Sequence, residues 1–401
     1  MQQPIVYVYQ EDLLKMLDAG NDAVAGIAGE WKGEGVFHAF ANYPKTNLFG
    51  CPLPCLFSHL PAETHDLQRL FNDDLVRVHT PPPKRALGVY FWITDGQLSA
   101  KCLLKEEDAV CETELKFVPG KSDLFSRAKG ILELDILESQ RILIIGLGSF
   151  GSHIAIEFAK AGIGHFALAD YDRVELHNVA RHTCGVNELG RLKTDAIRDA
   201  ILLKNPYANV ETLNVDITKA KELLDTEVAK ADLVLCATDN NHSRGVIIKS
   251  VVKHGKVALF GRAYTRAEGG DIIRVRPGGP CYFCNIQDVK EEPDMRDLPA
   301  YSNRSEAVVQ VGLSADIIPI CNMMVKLGLV ELSRGMKSSG LSELEHELSY
   351  DYYFWANRRE THYHRFAAFN EPRHMPKILK WYGGKMTKNS GCHYCGDGHG
   401  A

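Results

Sequence analysis

The chain has 401 residues, of which 45% are hydrophobic and 24% are charged. This composition argues against a disordered protein and supplies enough apolar surface for two folded domains. The formal net charge of -5 argues against a nucleic-acid binder that works through overall basic charge. No apolar run reaches about 18 residues, and the first residues lack the order of a signal peptide. We therefore expect a cytoplasmic protein with neither a membrane nor a nucleic acid as its partner.

Residues 1–120 differ in composition from the rest of the chain. Prolines and aromatic residues separate short strand-like runs such as ALGVYFWITDG at 86–96. This pattern predicts a small α+β or mostly β module, which we interpret as a recognition module. Cys51 and Cys55 are four residues apart. No second ligand pair accompanies them, so we interpret them as packed or incidental cysteines rather than metal ligands.

Residues 121–401 show a different pattern, in which short apolar runs alternate with amphipathic segments. Buried parallel strands produce such continuous apolar runs, and the helices between them cover both faces of the sheet. The pattern predicts a doubly wound, mostly parallel α/β sheet of the Rossmann-like type. Ligands of such sheets bind beyond the carboxyl ends of the strands. The segments that follow the predicted strands are therefore the ones to search for function.

A glycine-rich turn follows the first predicted strand, RILII at 141–145. Gly146, Gly148 and Gly151 have the G-x-G-x-x-G spacing, which lets the backbone approach a phosphate at the start of the next helix. Asp170 ends the next predicted strand, where it can bond a ribose hydroxyl. These residues predict a nucleotide site. Up to this point an NAD-dependent dehydrogenase would show the same pattern.

The connection after Asp170 distinguishes an enzyme that uses ATP from an NAD-dependent dehydrogenase, because it is rich in groups that suit a polyphosphate. The candidates for binding the nucleotide here are Asp172, Asn178, Arg181 and Lys193. Hydride transfer has no evident need for so many such groups. Asp239 follows the strand-like run LVLCA, where a carboxylate can hold a magnesium ion that bridges phosphate oxygens. The sequence therefore favours an enzyme that uses ATP and magnesium.

Two Cys-x-x-Cys pairs lie far apart in the chain. They are Cys281 with Cys284 and Cys392 with Cys395. Two such pairs supply the four ligands of a closed, tetrahedral zinc site. A closed site has no open position for chemistry, so we predict that zinc anchors the last stretch of the chain. The alternative is an open, catalytic zinc with a histidine ligand.

Residues 127–401 resemble the adenylyltransferase family that includes MoeB, ThiF and the ubiquitin-activating enzymes. The resemblance rests on the two cysteine pairs and on the motifs GLGSFGS, DYDRVELHNVAR, GRLK, TDNNHSR and RAEGGDIIRV. It implies that the glycine-rich turn and Asp170 cradle the adenosine and phosphates. It also implies that Asn178, Arg181 and Lys193 contact the triphosphate and that Asp239 binds magnesium. Arg127 matches an arginine that reaches the nucleotide of the partner subunit in family dimers, which implies a homodimer.

The resemblance also implies a reaction, in which a carboxylate attacks the α-phosphorus of ATP to form an acyl adenylate and release pyrophosphate. The expected substrate is a small ubiquitin-like or sulfur-carrier protein that ends in glycine, with a conjugating enzyme as a further partner. Adenylation of a short precursor peptide, as in microcin-type relatives, is an alternative. A catalytically inactive partner subunit is another. His182 departs from the family pattern, in which glutamine commonly follows Asn-x-x-Arg.

The step after adenylation is left open by the sequence. Many relatives carry a cysteine in the segment after the first Cys-x-x-Cys pair, and this chain has none between Cys284 and Ile317. The adenylate is either released or passed on directly, or Ser302 or Ser305 accepts the acyl group, or a serine stands where a cysteine was replaced. A serine nucleophile needs a neighbouring base, for which Glu306 and His364 are candidates. Cys184 and Cys321 are weaker candidates, and Cys321 lies in an apolar helical stretch.

Overall fold

A computed structural model describes most of the chain. The described residues are 3–41, 52–131, 134–264, 267, 269–284, 312–336, 340–358 and 377–396. The chain divides into two compact units, Met1–Arg127 and Ala128–Ala401. Within the described ranges, every helix is too short or too polar to cross a membrane.

The first unit is a closed barrel in which the strand order is β1-β3-β2-β4-β5-β6-β7, and β1 and β7 pair in parallel to close it. The strands are β1 (Ile5–Tyr9), β2 (Ala23–Glu30), β3 (Val36–Phe40), β4 (Pro52–His59), β5 (Arg85–Thr94), β6 (Gln97–Glu106) and β7 (Ala109–Val118). The helices are α1 (Gln10–Asp18), α2 (Leu67–Val78) and the single turn α3 (Lys121–Leu124).

Both faces of β5 are buried, which explains why its sequence is almost wholly apolar. Leu87 and Phe91 belong to one hydrophobic cluster together with Leu13 of α1. Tyr90 belongs to a second cluster, in which it packs with Phe71 of α2. Successive side chains of a strand point to opposite faces, so β5 connects the two clusters of the first unit.

The second unit is built on an eight-stranded sheet with the order β10-β9-β8-β11-β12-β13-β14-β15. Its parallel strands are β8 (Arg141–Ile145), β9 (His165–Ala169), β10 (Asn209–Leu213), β11 (Leu233–Cys236) and β12 (Ala258–Ala263). Its antiparallel strands are β13 (Gly269–Val275), β14 (Tyr352–Ala356) and β15 (Lys380–Gly384). The predicted α/β sheet is confirmed, and it is a mixed sheet.

Helices cover both faces of this sheet. They are α4 (Leu134–Glu138), α5 (Ser149–Ala161), α6 (Leu176–Val179), α7 (Lys193–Leu202), α8 (Lys221–Lys230), α9 (Asn241–Lys253), α10 (Ser314–Leu332) and α11 (Ser342–Glu347). Alternate residues of β8 show the two faces: Ile144 packs in a cluster with α5, α7 and α10. Ile145 packs in a cluster with α8 and α9.

The order of the parallel strands creates a crevice at one end of the sheet. From β8 the chain moves outward to β9 and β10 on one side, and it then returns to add β11 and β12 on the other side. Connections that leave neighbouring strands in opposite directions open a space beyond the carboxyl ends of those strands. In this protein the space lies beyond β8 and β11.

Candidate active site

A cavity of about 550 Å³ opens beyond the carboxyl ends of β8, β9, β11 and β12. This volume lies in the range of small-molecule sites, roughly 300–1,000 Å³. Its lining combines glycines, carboxylates and cations. Among the predicted residues it includes Gly146, Gly148, Asp170, Asp172, Arg181, Lys193 and Asp239. The fold therefore brings together residues that come from five separate segments of the sequence.

The glycine loop, residues 146–151, has two positions where only glycine fits. Gly146 has a φ of +88°, and a Cβ there would lie 2.9 Å from the carbonyl oxygen of Ala237. A Cβ at Gly151 would lie 1.8 Å from the carbonyl oxygen of Gly146. Gly151 therefore lets α5 pack against the loop and does not itself line the cavity. Gly148, which does line it, is the residue before α5 and faces open space.

Asp170 follows β9 and is hydrogen-bonded to the backbone on two sides. One carboxylate oxygen accepts from the amide of Leu147 at 2.6 Å, and the other accepts from the amide of Asp172 at 2.8 Å. Burial raises the pKa of Asp170, while Lys193 and these two amides act in the opposite direction. The carboxylate thus shapes the glycine loop. Each oxygen also has a second lone pair that can accept from a ligand hydroxyl.

Lys193 places a cation in the cavity. It is the first residue of α7, it is 7% exposed, and its Nζ lies 2.8 Å from the carboxylate of Asp172. Burial lowers the pKa of Lys193, but the carboxylates of Asp170 and Asp172 outweigh this effect and raise it overall. The ammonium is therefore charged at neutral pH. It can bind a polyphosphate that either replaces the carboxylate of Asp172 or binds to the ammonium beside it.

Arg181 and Asn178, which the sequence pairs in one motif, have different surroundings. Arg181 lines the cavity, and its carbonyl oxygen accepts a hydrogen bond from the hydroxyl of Ser149 at 3.0 Å. Asn178 does not belong to the cavity lining. Its side-chain oxygen accepts from the amide of Glu175 at 3.0 Å, and the two residues form a capping box around α6. In this structure Asn178 therefore stabilises the short helix that precedes Arg181.

Asp239 lies in the turn between β11 and α9, where it lines the cavity. Asn240, the next residue, caps α9 by accepting from the amide of Ser243 at 2.8 Å. Arg244 donates to the carbonyl oxygen of Thr238 at 2.5 Å and so holds the turn from the helix side. Carboxylate oxygens are the ligands that magnesium prefers. Asp239 therefore offers the cavity a carboxylate of the kind that magnesium prefers, and its role as a magnesium ligand stays a prediction.

An ion pair that the sequence does not assign lies at the far wall of the cavity. The guanidinium of Arg262 donates to both carboxylate oxygens of Asp271, at 2.6 and 2.7 Å. The hydroxyls of Tyr264 and Tyr352 also donate to Asp271, at 2.5 and 3.2 Å. Arg262 and Asp271 are directly opposite in the β12–β13 pair. The sequence signal for this pair is one arginine and one aspartate at facing positions of two adjacent, mostly apolar strands.

The four cysteines of the two Cys-x-x-Cys pairs meet in the second unit. Their sulfurs all lie within 4.8 Å of one another, and the pairs Cys281–Cys392 and Cys284–Cys395 are 3.5 and 3.3 Å apart. Four thiolates around one zinc at about 2.3 Å would be about 3.8 Å apart. The cluster therefore fits a tetrahedral metal ion. Among the described residues, only cysteines belong to it.

The candidate acyl acceptors fall into two groups. Ser302 and Ser305, with Glu306 and His364, lie outside the described residues, as does Cys51. Cys184 is buried, and burial raises the pKa of its thiol to about 11. Burial raises the pKa of Cys321 as well. The thiolate is the nucleophilic form of cysteine, so neither thiol is suited to accept an acyl group at neutral pH.

Arg127 is the last residue of the first unit. It lies in a turn of 3-10 helix, Ser126–Ala128, and its side chain is exposed.

Comparisons with known proteins identify the family. The family model described as the ThiF family matches residues 123–350. The molybdopterin-synthase adenylyltransferase of Escherichia coli is 33% identical over 156 residues, which cover 37% of this chain and 60% of that protein. The ubiquitin-like modifier-activating enzyme 5 of Caenorhabditis elegans is 29% identical over 163 residues, covering 38% and 39%.

Among solved structures, E. coli MccB with AMPCPP and MccA aligns with a TM-score of 0.50 at 16% identity. This alignment covers 70% of this chain and 75% of that one, and at such low identity it supports the fold alone. The chain spans less than two thirds of the length of the curated relatives named here. Because the family model covers more than half of its residues, this protein belongs to the ThiF family.

Proposed function

We propose that this protein is an ATP-dependent adenylyltransferase that activates the C-terminal carboxylate of a small ubiquitin-like or sulfur-carrier protein. The observation that carries the proposal is the convergence of Arg181, Lys193 and Asp239 on the cavity beside the glycine loop. Cations and a magnesium ligand around an amide-lined loop suit a triphosphate. Two of the relatives, an adenylyltransferase and a modifier-activating enzyme, have names that agree with it.

The proposed chemistry needs little beyond positioning and charge. The substrate carboxylate is already ionised, so it attacks the α-phosphorus without a general base, and the bond to pyrophosphate breaks. Arg181 and Lys193 offset the negative charge that develops on the phosphate oxygens. Magnesium held by Asp239 would supply further charge neutralisation and orient the phosphates. The glycine loop would contribute backbone amides at the start of α5.

We further propose that the acyl adenylate is released or passed on without a thioester on the described part of the chain. The buried thiols of Cys184 and Cys321 support this proposal. Ser302 and Ser305 stay hypotheses as acyl acceptors, and a conjugating enzyme stays a candidate for the next step. The four-cysteine cluster would hold a structural zinc. A homodimer in which Arg127 reaches the partner's nucleotide is also a proposal.

Pyrophosphate exchange tests the adenylation step. Purified protein is incubated with ATP, magnesium and labelled pyrophosphate, first alone, then with a glycine-ending carrier protein, and then with a short peptide. Incorporation of label into ATP only with the carrier supports the proposal. Incorporation with the peptide alone supports the precursor-peptide alternative. ATP binding without exchange, whichever partner is supplied, contradicts adenylation and favours an inactive partner subunit.

A further inference from the structure

The segment that contains Arg181 is bound to the glycine loop and to the start of α5 by several hydrogen bonds. The hydroxyl of Ser149 donates to the carbonyl oxygen of Arg181 at 3.0 Å. The amide of Thr183 donates to the hydroxyl of Ser152 at 3.4 Å. Between these two contacts lies His182, which is 8% exposed and does not belong to the cavity lining. The role of this buried imidazole is therefore to be sought in what it holds.

The hydrogen bonds of His182 define its protonation state. Its Nε2 lies 2.7 Å from the carbonyl oxygen of Leu147, and its Nδ1 lies 3.0 Å from the amide of Cys184. A carbonyl oxygen can only accept and an amide can only donate. Nε2 must therefore carry the hydrogen, and Nδ1 must present its lone pair. Only the neutral Nε2–H tautomer satisfies both neighbours.

Leu147, the residue that His182 contacts, lies between Gly146 and Gly148 of the glycine loop. Its amide donates to the carboxylate of Asp170 at 2.6 Å, and its carbonyl accepts from His182. The loop is thus held from the end of β9 on one side and from the Arg181 segment on the other. Glycines on both sides of Leu147 give the backbone conformational freedom. These two hydrogen bonds restrict it.

We propose that His182 is a positioning residue, which in its neutral Nε2–H form holds the Leu147 carbonyl so that the glycine loop keeps the shape that binds the phosphates of ATP. This inference rests on the proposed function, because it assumes that ATP is the ligand of the cavity. His182 is also the next residue after Arg181, so the same side chain links the loop backbone to the segment that carries Arg181.

The charged and titratable groups around His182 favour the neutral form. Burial is the main cause that lowers its pKa, from an ordinary value of 6.5 to about 4. The ammonium of Lys193, from α7, and the imidazole of His153, from α5, lower it further, and the bond to the Leu147 carbonyl opposes them. A proton on Nδ1 would also face the amide hydrogen of Cys184. The hydrogen bond to the loop is therefore kept throughout the neutral pH range.

ATP affinity measured by isothermal titration calorimetry with magnesium tests the inference. His182→Leu removes the donor and leaves the buried Leu147 carbonyl unpaired. Without this hydrogen bond the loop is less fixed in the free protein, so ATP has to order it on binding, and we expect ATP to bind about tenfold more weakly, which corresponds to about 1.4 kcal/mol. His182→Gln supplies an amide N–H and an amide oxygen, so we expect it to bind within about threefold of the wild type, since both hydrogen bonds can form.

His254→Leu is the matched control, because His254 contacts Asp225 and does not line the cavity. We expect it to leave ATP affinity unchanged. The positioning role would be overturned if His182→Leu bound ATP as tightly as the wild type. It would also be overturned if His182→Gln bound ATP as weakly as His182→Leu.

Histidine nitrogen NMR of the wild type is a second measurement that does not depend on any variant folding. A neutral Nε2–H signal for His182 at pH 6 supports the inference, whereas an imidazolium or an Nδ1–H tautomer there contradicts it. The positioning role and the proposed reaction can be contradicted independently. A wild type that binds ATP without exchanging pyrophosphate contradicts the proposed reaction, and the ATP affinities of the His182 variants still decide the positioning role. A wild type that binds no ATP overturns both.

Discussion

Lys193 and Arg181 are the residues from which the largest effect on the reaction is expected. Removing one preorganised electrostatic contact typically costs about 2.7–4 kcal/mol in the chemical step, or about 10²- to 10³-fold in rate. We therefore expect Lys193→Ala to lower the pyrophosphate-exchange rate by this factor. Lys204→Ala is the matched control, since Lys204 is exposed and lies outside the cavity lining. A Lys193→Ala protein with more than about a tenth of the wild-type rate would contradict the assignment.

His182 is also expected to affect stability as a function of pH. Its pKa is lowered in the folded protein, so the unfolded chain binds more protons between pH 6.5 and 4. The stabilising contribution is complete above pH 6.5 and is lost as the pH falls through 4. Between pH 7 and pH 5 the free energy of unfolding should fall by about 2 kcal/mol more in the wild type than in His182→Gln.

Urea denaturation of the two proteins at both pH values measures this difference. His153, whose pKa burial also lowers, titrates in both proteins and therefore cancels. If the free energy of unfolding fell equally in the two proteins between pH 7 and pH 5, His182 would not be buried as a neutral group.

Individual residues differ in how much of their role could be predicted from the sequence. Asp170 was predictable as the residue at the end of a strand, because position along the chain defines it. Its hydrogen bonds to Leu147 and Asp172 were not, because side-chain direction depends on the turn. Asn178 shares a motif with Arg181, but its side chain caps α6 together with Glu175. Motif spacing cannot show whether a residue contacts the ligand or caps a helix, when the two kinds of residue are only three positions apart.

At the scale of elements, the glycine loop and α5 depend on the close approach that Gly151 permits. A methyl group at Gly151 would overlap the carbonyl oxygen of Gly146, which is backbone and cannot rotate away. We expect Gly151→Ala to lower the free energy of unfolding by at least about 1–3 kcal/mol and to weaken ATP binding. Gly384→Ala, where a Cβ would meet nothing within 4 Å, is the control. Chemical denaturation that gives equal stabilities for both variants would refute this packing.

The parallel half of the sheet was easier to predict than the antiparallel half. Strands β8, β9 and β11 are continuous apolar runs because both of their faces are buried. The edge strand β15, KWYGG, is only partly buried and has no such pattern. It pairs with β14 in antiparallel register, with Tyr352 opposite Gly384. Neither propensity nor periodicity in a strand of this composition indicates that partner.

At the scale of the whole molecule, the chain consists of two units with separate hydrophobic clusters. Strand-like runs in the first unit were visible in the sequence, but the closed barrel was not. Closure requires β1 to pair with β7 across the whole unit. Such non-local pairing depends on the entire set of strands rather than on any one of them.

The four-cysteine cluster joins distant parts of the second unit, so metal removal should affect that unit as a whole. We expect Cys392→Ser, or a strong chelator, to lower its melting temperature by more than about 5 °C, which corresponds to about 2 kcal/mol. Elemental analysis should find one zinc per chain in the wild type and less in the variant. Cys111→Ser, at an exposed cysteine of the first unit, is the control. An unchanged melting temperature after complete metal loss would contradict a structural role.

The sequence by itself determined the family, through motifs that resemble those of its members. It also determined the α/β class of the second unit and the residue types of the candidate nucleotide site, because these follow from local spacing and periodicity. Only the tertiary structure decided which of those residues share one cavity, that Arg262 faces Asp271 at its wall, and that His182 holds the glycine loop. These relations depend on how strands from distant segments align and where their side chains point. The free energy that selects such an arrangement comes from packing the whole unit, which no local pattern contains.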